Sequence, residues 1–145
     1  MQFVKRTLMV LFLVGLGEPA DAVELRSIEV RTGTDGLVAV PLSVTNASGA
    51  PVVCVGQLAH WYSQELGRAG TGATALIPLW FDPTTGTFTV LNDKAENMPV
   101  ESLWCGLEGR AYESRAAITL DRQADATPSP MALTCTLDGS RLTCG

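Results

Sequence analysis

The chain has 145 residues, with 15 acidic against 10 basic side chains and one histidine, for a formal net charge of −5. That balance gives no electrostatic case for nucleic acid or an anionic membrane as a partner. A single histidine also rules out the two-histidine blue-copper ligand set.

Residues 1–22 read as a secretory leader. Lys5 and Arg6 form a basic start, Thr7 to Gly17 is an apolar run of 11 residues, and Ala20 and Ala22 mark a small-residue cleavage site. The run is too short to span a bilayer, which takes roughly 20 residues. Cleavage after Ala22 leaves a single β-domain, 23–145. It loses Lys5, Arg6, Glu18 and Asp21, so its charge stays at −5. No later stretch approaches transmembrane length, so this remainder is expected not to be an integral membrane protein. Its one lysine, Lys94, against seven arginines, with abundant Ala and Gly, suggests a GC-rich bacterial genome. The expected location is therefore periplasmic or secreted.

Alternating residues mark strands in chain order. Leu25 to Thr32 alternates, and Gly33 to Gly36 makes a turn. Leu37 to Asn46 places Val38, Val40, Leu42 and Val44 on one face, with Pro41 weakening it as a central strand. Val52 to Leu66 is a strand up to Gln57. Beyond that, strand and helix patterns compete, and the strand reading puts Val53, Val55, Gln57, Ala59 and Trp61 on one face. Gly67 to Thr74 reads as a glycine-rich loop. Ala75 to Phe81 is apolar on both faces and is expected to be covered on both sides. With Thr87 to Asn92 it forms a hairpin, Phe88 and Val90 pointing inward. Two further segments lie around Leu103–Leu107 and Ala111–Leu120, and a short helix within Val100–Ser114 fits the pattern. A loop, Asp121 to Pro130, precedes a C-terminal hairpin over 131–144.

Four cysteines in an exported chain imply disulfides. If Asp138 to Arg141 forms the loop of the last hairpin, Leu137 faces Leu142 and Cys135 faces Cys144. Directly opposed residues lie close enough to bridge. Elimination then pairs Cys54 with Cys105, a bond expected to link two sheets. Neither CxxC spacing nor a histidine cluster supports a zinc or redox site.

The expected fold class is all-β, a small disulfide-stapled sandwich or barrel. It is immunoglobulin-like only loosely: Trp61 follows Cys54 too closely, and Leu103 stands where the tyrosine before the second cysteine belongs. No serine sits in a GxSxG elbow, and no phosphate-binding glycine motif occurs. His60, Met98 and Met131 carry donors soft enough for Cu(I), though their spacing does not require it. Asn46-Ala47-Ser48 fits a glycosylation acceptor. The aromatics carry more weight. Trp61, Tyr62, Trp80 and Trp104, with Arg68 and Arg110, have the composition of a protein-binding surface.

The sequence thus points to an exported, non-enzymatic binding or accessory domain without a cofactor, its partner another cell-envelope protein. A hydrolase inhibitor presenting Gly67–Thr74 and a small-ligand or metal carrier are the alternatives.

Overall fold

The structure, a computed structural model, describes residues 29–59 and 61–145. The leader, the start of the Leu25–Thr32 stretch and His60 lie outside the described residues. The described chain is all-β and contains no helix. Its strands are β1 (Val38–Ala39), β2 (Leu42–Asn46), β3 (Val52–Leu58), β4 (Tyr62–Ala69), β5 (Thr74–Ile77), β6 (Trp80–Asp82), β7 (Thr87–Leu91), β8 (Asn97–Leu107), β9 (Ala116–Ile118), β10 (Met131–Asp138) and β11 (Arg141–Cys144). One sheet runs β1-β6-β7-β8-β3-β4, with β9 also pairing β8; the other runs β11-β10-β2-β5. The result is a disulfide-stapled sandwich, not a hydrogen-bonded barrel.

The expected strand Leu37–Asn46 is broken, and the break explains the architecture. β1 pairs with β6 in one sheet while β2 pairs with β5 in the other. Val40 N donates to Leu79 O at 2.9 Å in between. Two antiparallel strands thus turn the corner between sheets together, with Pro41 and Pro78 at the bend. Proline has no N–H to lose from the ladder there. Val38 ends up 42% exposed, while Val40, Leu42 and Val44 are fully buried.

The same corner corrects the expectation for Ala75–Phe81. Only every second side chain is covered: Ala75, Ile77, Leu79 and Phe81 face the core, whereas Leu76 is 67% exposed. Alternation puts Leu76 on the outer face of its sheet, so it faces solvent. Phe81 packs on Phe88 with ring centroids 5.0 Å apart, and the β6–β7 hairpin puts Phe88 and Val90 inward as expected.

Residues 57–66 are not one strand or a helix but a hairpin, since β3 and β4 pair from Val52↔Ala69 to Leu58↔Tyr62. Val52, Cys54 and Leu58 face the core, so Gln57 points outward. The Gly67–Thr74 loop shrinks to a turn at 70–73, because β4 runs to Ala69. The helix within Val100–Ser114 is absent: β8 fills 97–107, and 108–114 is a chain of turns. Of Leu25–Thr32, the described part contributes only a bridge from Thr32 to Glu96.

The C-terminal hairpin has the expected register, Cys135↔Cys144 and Leu137↔Leu142. Its loop is shorter than expected, because Asp138 also pairs with Arg141. The two-residue loop starts at Gly139 with φ 58°, the residue and conformation that a tight hairpin turn needs there. Both disulfides form as paired from the sequence, Cys54–Cys105 and Cys135–Cys144. Cys54 lies opposite Cys105 on neighbouring strands of one sheet, however. The bond therefore does not join the sheets, as it does in an immunoglobulin domain, and nothing confirms that resemblance. Disulfides of this kind are compatible with an extracellular or periplasmic location.

Two buried polar residues hold the frame where strands end. Asn46 is fully buried, and its Nδ2 donates to the carbonyls of Ala50, Ala69 and Gly70 at 2.7, 3.0 and 3.1 Å. It ties together the turns after β2 and β4. Ser114 accepts from Leu107 N at 2.8 Å, and its own carbonyl accepts from Leu142 N at 2.8 Å, fastening β8 to β11 across the sandwich.

Candidate protein-binding site

The aromatic and arginine residues singled out from the sequence fall into three places. Trp61 and Tyr62 occupy the tip of the β3–β4 hairpin, 93% and 56% exposed. In a strand one ring of such a pair would turn inward; both turn out because the pair straddles a turn. Trp80 lies half-buried on β6, opposite Ala39 and Thr89. Trp104, half-buried on β8, meets Tyr112 edge-on at 6.3 Å between centroids. Arg115 stacks 3.9 Å from the centre of the Tyr112 ring and donates to Tyr112 O at 2.7 Å. Tyr112 and Arg115 carried no local signal in the sequence, since a loop brings them there.

Arg68 is less available than its exposure suggests. Arg68 grips Glu65 through Nε and Nη2, at 3.0 and 2.8 Å, and also pairs with Glu108. The hydrogen bond to Glu65 raises its pKa further. Arg110 is exposed on the loop after β8 and uses its backbone carbonyl to accept from Ser114. Through β3, Arg68 (opposite Val53) and Trp104 (opposite Val55) fall on the same side of one sheet, while Trp61 and Tyr62 stand at the hairpin tip.

The hairpin tip is different, because it borders an open groove. One lobe, about 450 Å³, is lined by Tyr62, Gln64, Asn92, Asp93, Glu96 and Met98. A second, about 350 Å³, is lined by Glu29, Val30, Arg31, Ala59, Glu96, Asn97, Met98 and Pro99. Glu96 and Met98 belong to both lobes. These volumes fall in the range of ligand pockets. Sequence reasoning missed the groove, because its walls come from segments far apart in the chain.

The loop forming one wall is rigid for stated reasons. Asn92 Oδ1 accepts from Lys94 N and Glu96 N, each at 2.9 Å, and Asn92 Nδ2 donates to Glu96 Oε2 at 2.6 Å. Ala95 takes φ 58° to close the turn. The segment before β1 is fixed on the same loop by Asn97, whose N donates to Arg31 O and whose Nδ2 donates to Gly33 O, both at 2.8 Å. Three non-glycine residues among those described have left-handed backbones, and two of them, Trp61 and Ala95, flank this groove. Such conformations cost about 1–2 kcal/mol each and collect at functional sites.

Arg31, itself part of the lining of the second lobe, pairs with Asp82 at 3.6 Å. Burial pushes the Asp82 carboxyl up, but hydrogen bonds from Thr84 and Thr85 outweigh it and hold it below the ordinary carboxylate range. Among the described residues, no group of three or more His, Cys, Asp or Glu side chains is placed to hold a metal ion. No described helix is long and apolar enough to cross a membrane. No family model, curated protein or solved structure matches the chain.

Proposed function

We propose that the protein is a cell-envelope binding module, periplasmic or secreted, that grips a partner protein with the Trp61–Tyr62 hairpin tip. One observation carries this reading. Trp61 is 93% exposed and sits at φ 65°, where glycine would be the unstrained choice. An indole in water at a strained turn does nothing for the fold. It suits an anchor that a partner covers, since buried aromatics dominate interface energetics. The two disulfides and the tied turns keep the frame stiff, which lowers the entropy cost of docking. If the partner is a hydrolase, the projecting tip rather than Gly67–Thr74 would enter its cleft.

Affinity capture from cell-envelope extract tests the reading. The wild type should retain one protein that the Trp61→Ala form loses, with both forms equally folded. A partner retained equally by both, or none retained at micromolar bait, would contradict it.

A further inference from the structure

Resting on that protein-binding reading, we infer that the groove beside the tip seats a short basic segment of the partner, a Lys or Arg side chain between apolar neighbours. The second lobe has an apolar share: Val30, 58% exposed, with Ala59, Met98 and Pro99. Apolar surface of this kind favours an apolar occupant. The rim chooses its charge. Glu29, Glu96 and Asp93 stand around the two lobes. Glu96 is held in place by Asn92 at 2.6 Å.

The cations do not cancel them. Arg31 lines the second lobe but pairs with Asp82 at 3.6 Å, and Lys94 lies on an exposed turn outside both linings. Counting the lining residues Glu29, Asp93 and Glu96 against Arg31 leaves the groove at −2. A second copy of this chain, with a net charge of −5, is repelled by that rim. An acidic segment is repelled likewise, and a neutral one gains nothing from the carboxylates' charge. A basic side chain inserted over Met98 satisfies the apolar share and the carboxylates together, and the field also steers its approach.

The test is an NMR titration of the ¹⁵N-labelled protein with acetyl-Leu-Arg-Leu-Lys-Leu-amide, and separately with acetyl-Leu-Glu-Leu-Glu-Leu-amide. The basic peptide should move the amides of Tyr62, Gln64, Asp93, Glu96 and Met98, while the acidic one moves none. The Glu29→Gln/Glu96→Gln double variant should bind the basic peptide about fivefold more weakly, as expected for the loss of two exposed ion pairs. The Glu29→Gln single variant, on an exposed segment, gives the same direction if the double variant does not fold. Equal response to both peptides, shifts confined to other strands, or unchanged affinity in the variants would overturn the inference. Those failures leave the protein-binding reading standing if Trp61→Ala still abolishes partner capture. Capture that survives Trp61→Ala overturns that reading instead.

Discussion

Asn46→Ala should be among the most damaging single changes in the fold. The side chain is fully buried; its Nδ2 serves three carbonyls and its Oδ1 accepts from Ser48 N and Oγ at 2.9 and 2.7 Å. Two amide hydrogens shared among three carbonyls count as about two bonds, each worth roughly 1 kcal/mol net. Stranding the carbonyl of Ala69, itself a buried residue, adds about 1–2 kcal/mol more. The total is about 3–4 kcal/mol, a large share of the 5–15 kcal/mol a domain typically has. With a urea slope of about 1.5 kcal/mol per molar, the midpoint falls by about 2 M.

Asn46→Asp sharpens the test. It keeps the shape but sets a carboxylate against three carbonyl oxygens, so its folded pKa rises above the ordinary value near 3.9. It should be worse than alanine at pH 7 and recover as pH falls through that raised pKa. A loss under about 1 kcal/mol for the alanine form, or an aspartate form indifferent to pH, would refute this account of the corner.

Removing Cys54–Cys105 should cost more than removing Cys135–Cys144, about 4 against about 3 kcal/mol, because the closed rings differ in length, 51 against 9 residues; paired Cys→Ser variants in urea melts check the order. Asp82 has a lowered folded pKa, so its contribution is present above its unfolded value near 3.9 and lost as pH falls through the folded one. The stability gap between wild type and Asp82→Asn should therefore be flat above about pH 5 and close in acid. Gly106→Ala places a methyl 2.8 Å from Ala111 Cα, forcing the 108–114 loop off β8. It should cost about 2 kcal/mol or more and change the tryptophan fluorescence of Trp104, and neither effect would be seen if that loop were loosely attached.

Local features were legible in the sequence and distant ones were not. The Cys135–Cys144 register followed from counting across one turn, and the pairing of Cys54 with Cys105 followed by elimination. The sheet corner was half visible: Pro41 signalled a weak strand, but only the pairing of β2 with β5 and, in parallel, with β10 shows why. The β3–β4 hairpin was hidden because its turn carries no Gly, Pro, Asn or Asp. A tryptophan takes the left-handed position instead. Without turn residues there, the sequence pattern reads as an undecided strand or helix. The groove was invisible for a different reason, since Val30, Tyr62 and Met98 meet only after folding.

The central claim is that Trp61 is an anchor covered by a partner. Site-specific photo-crosslinking in living cells tests it most directly, with a benzophenone amino acid at position 62, beside an intact Trp61, and, as a control, at Leu137 on the C-terminal hairpin, 41% exposed. The account predicts one discrete adduct from position 62 that Trp61→Ala abolishes, with none from 137. An adduct from position 62 that survives Trp61→Ala, no adduct there, or the same adducts from both positions would contradict it.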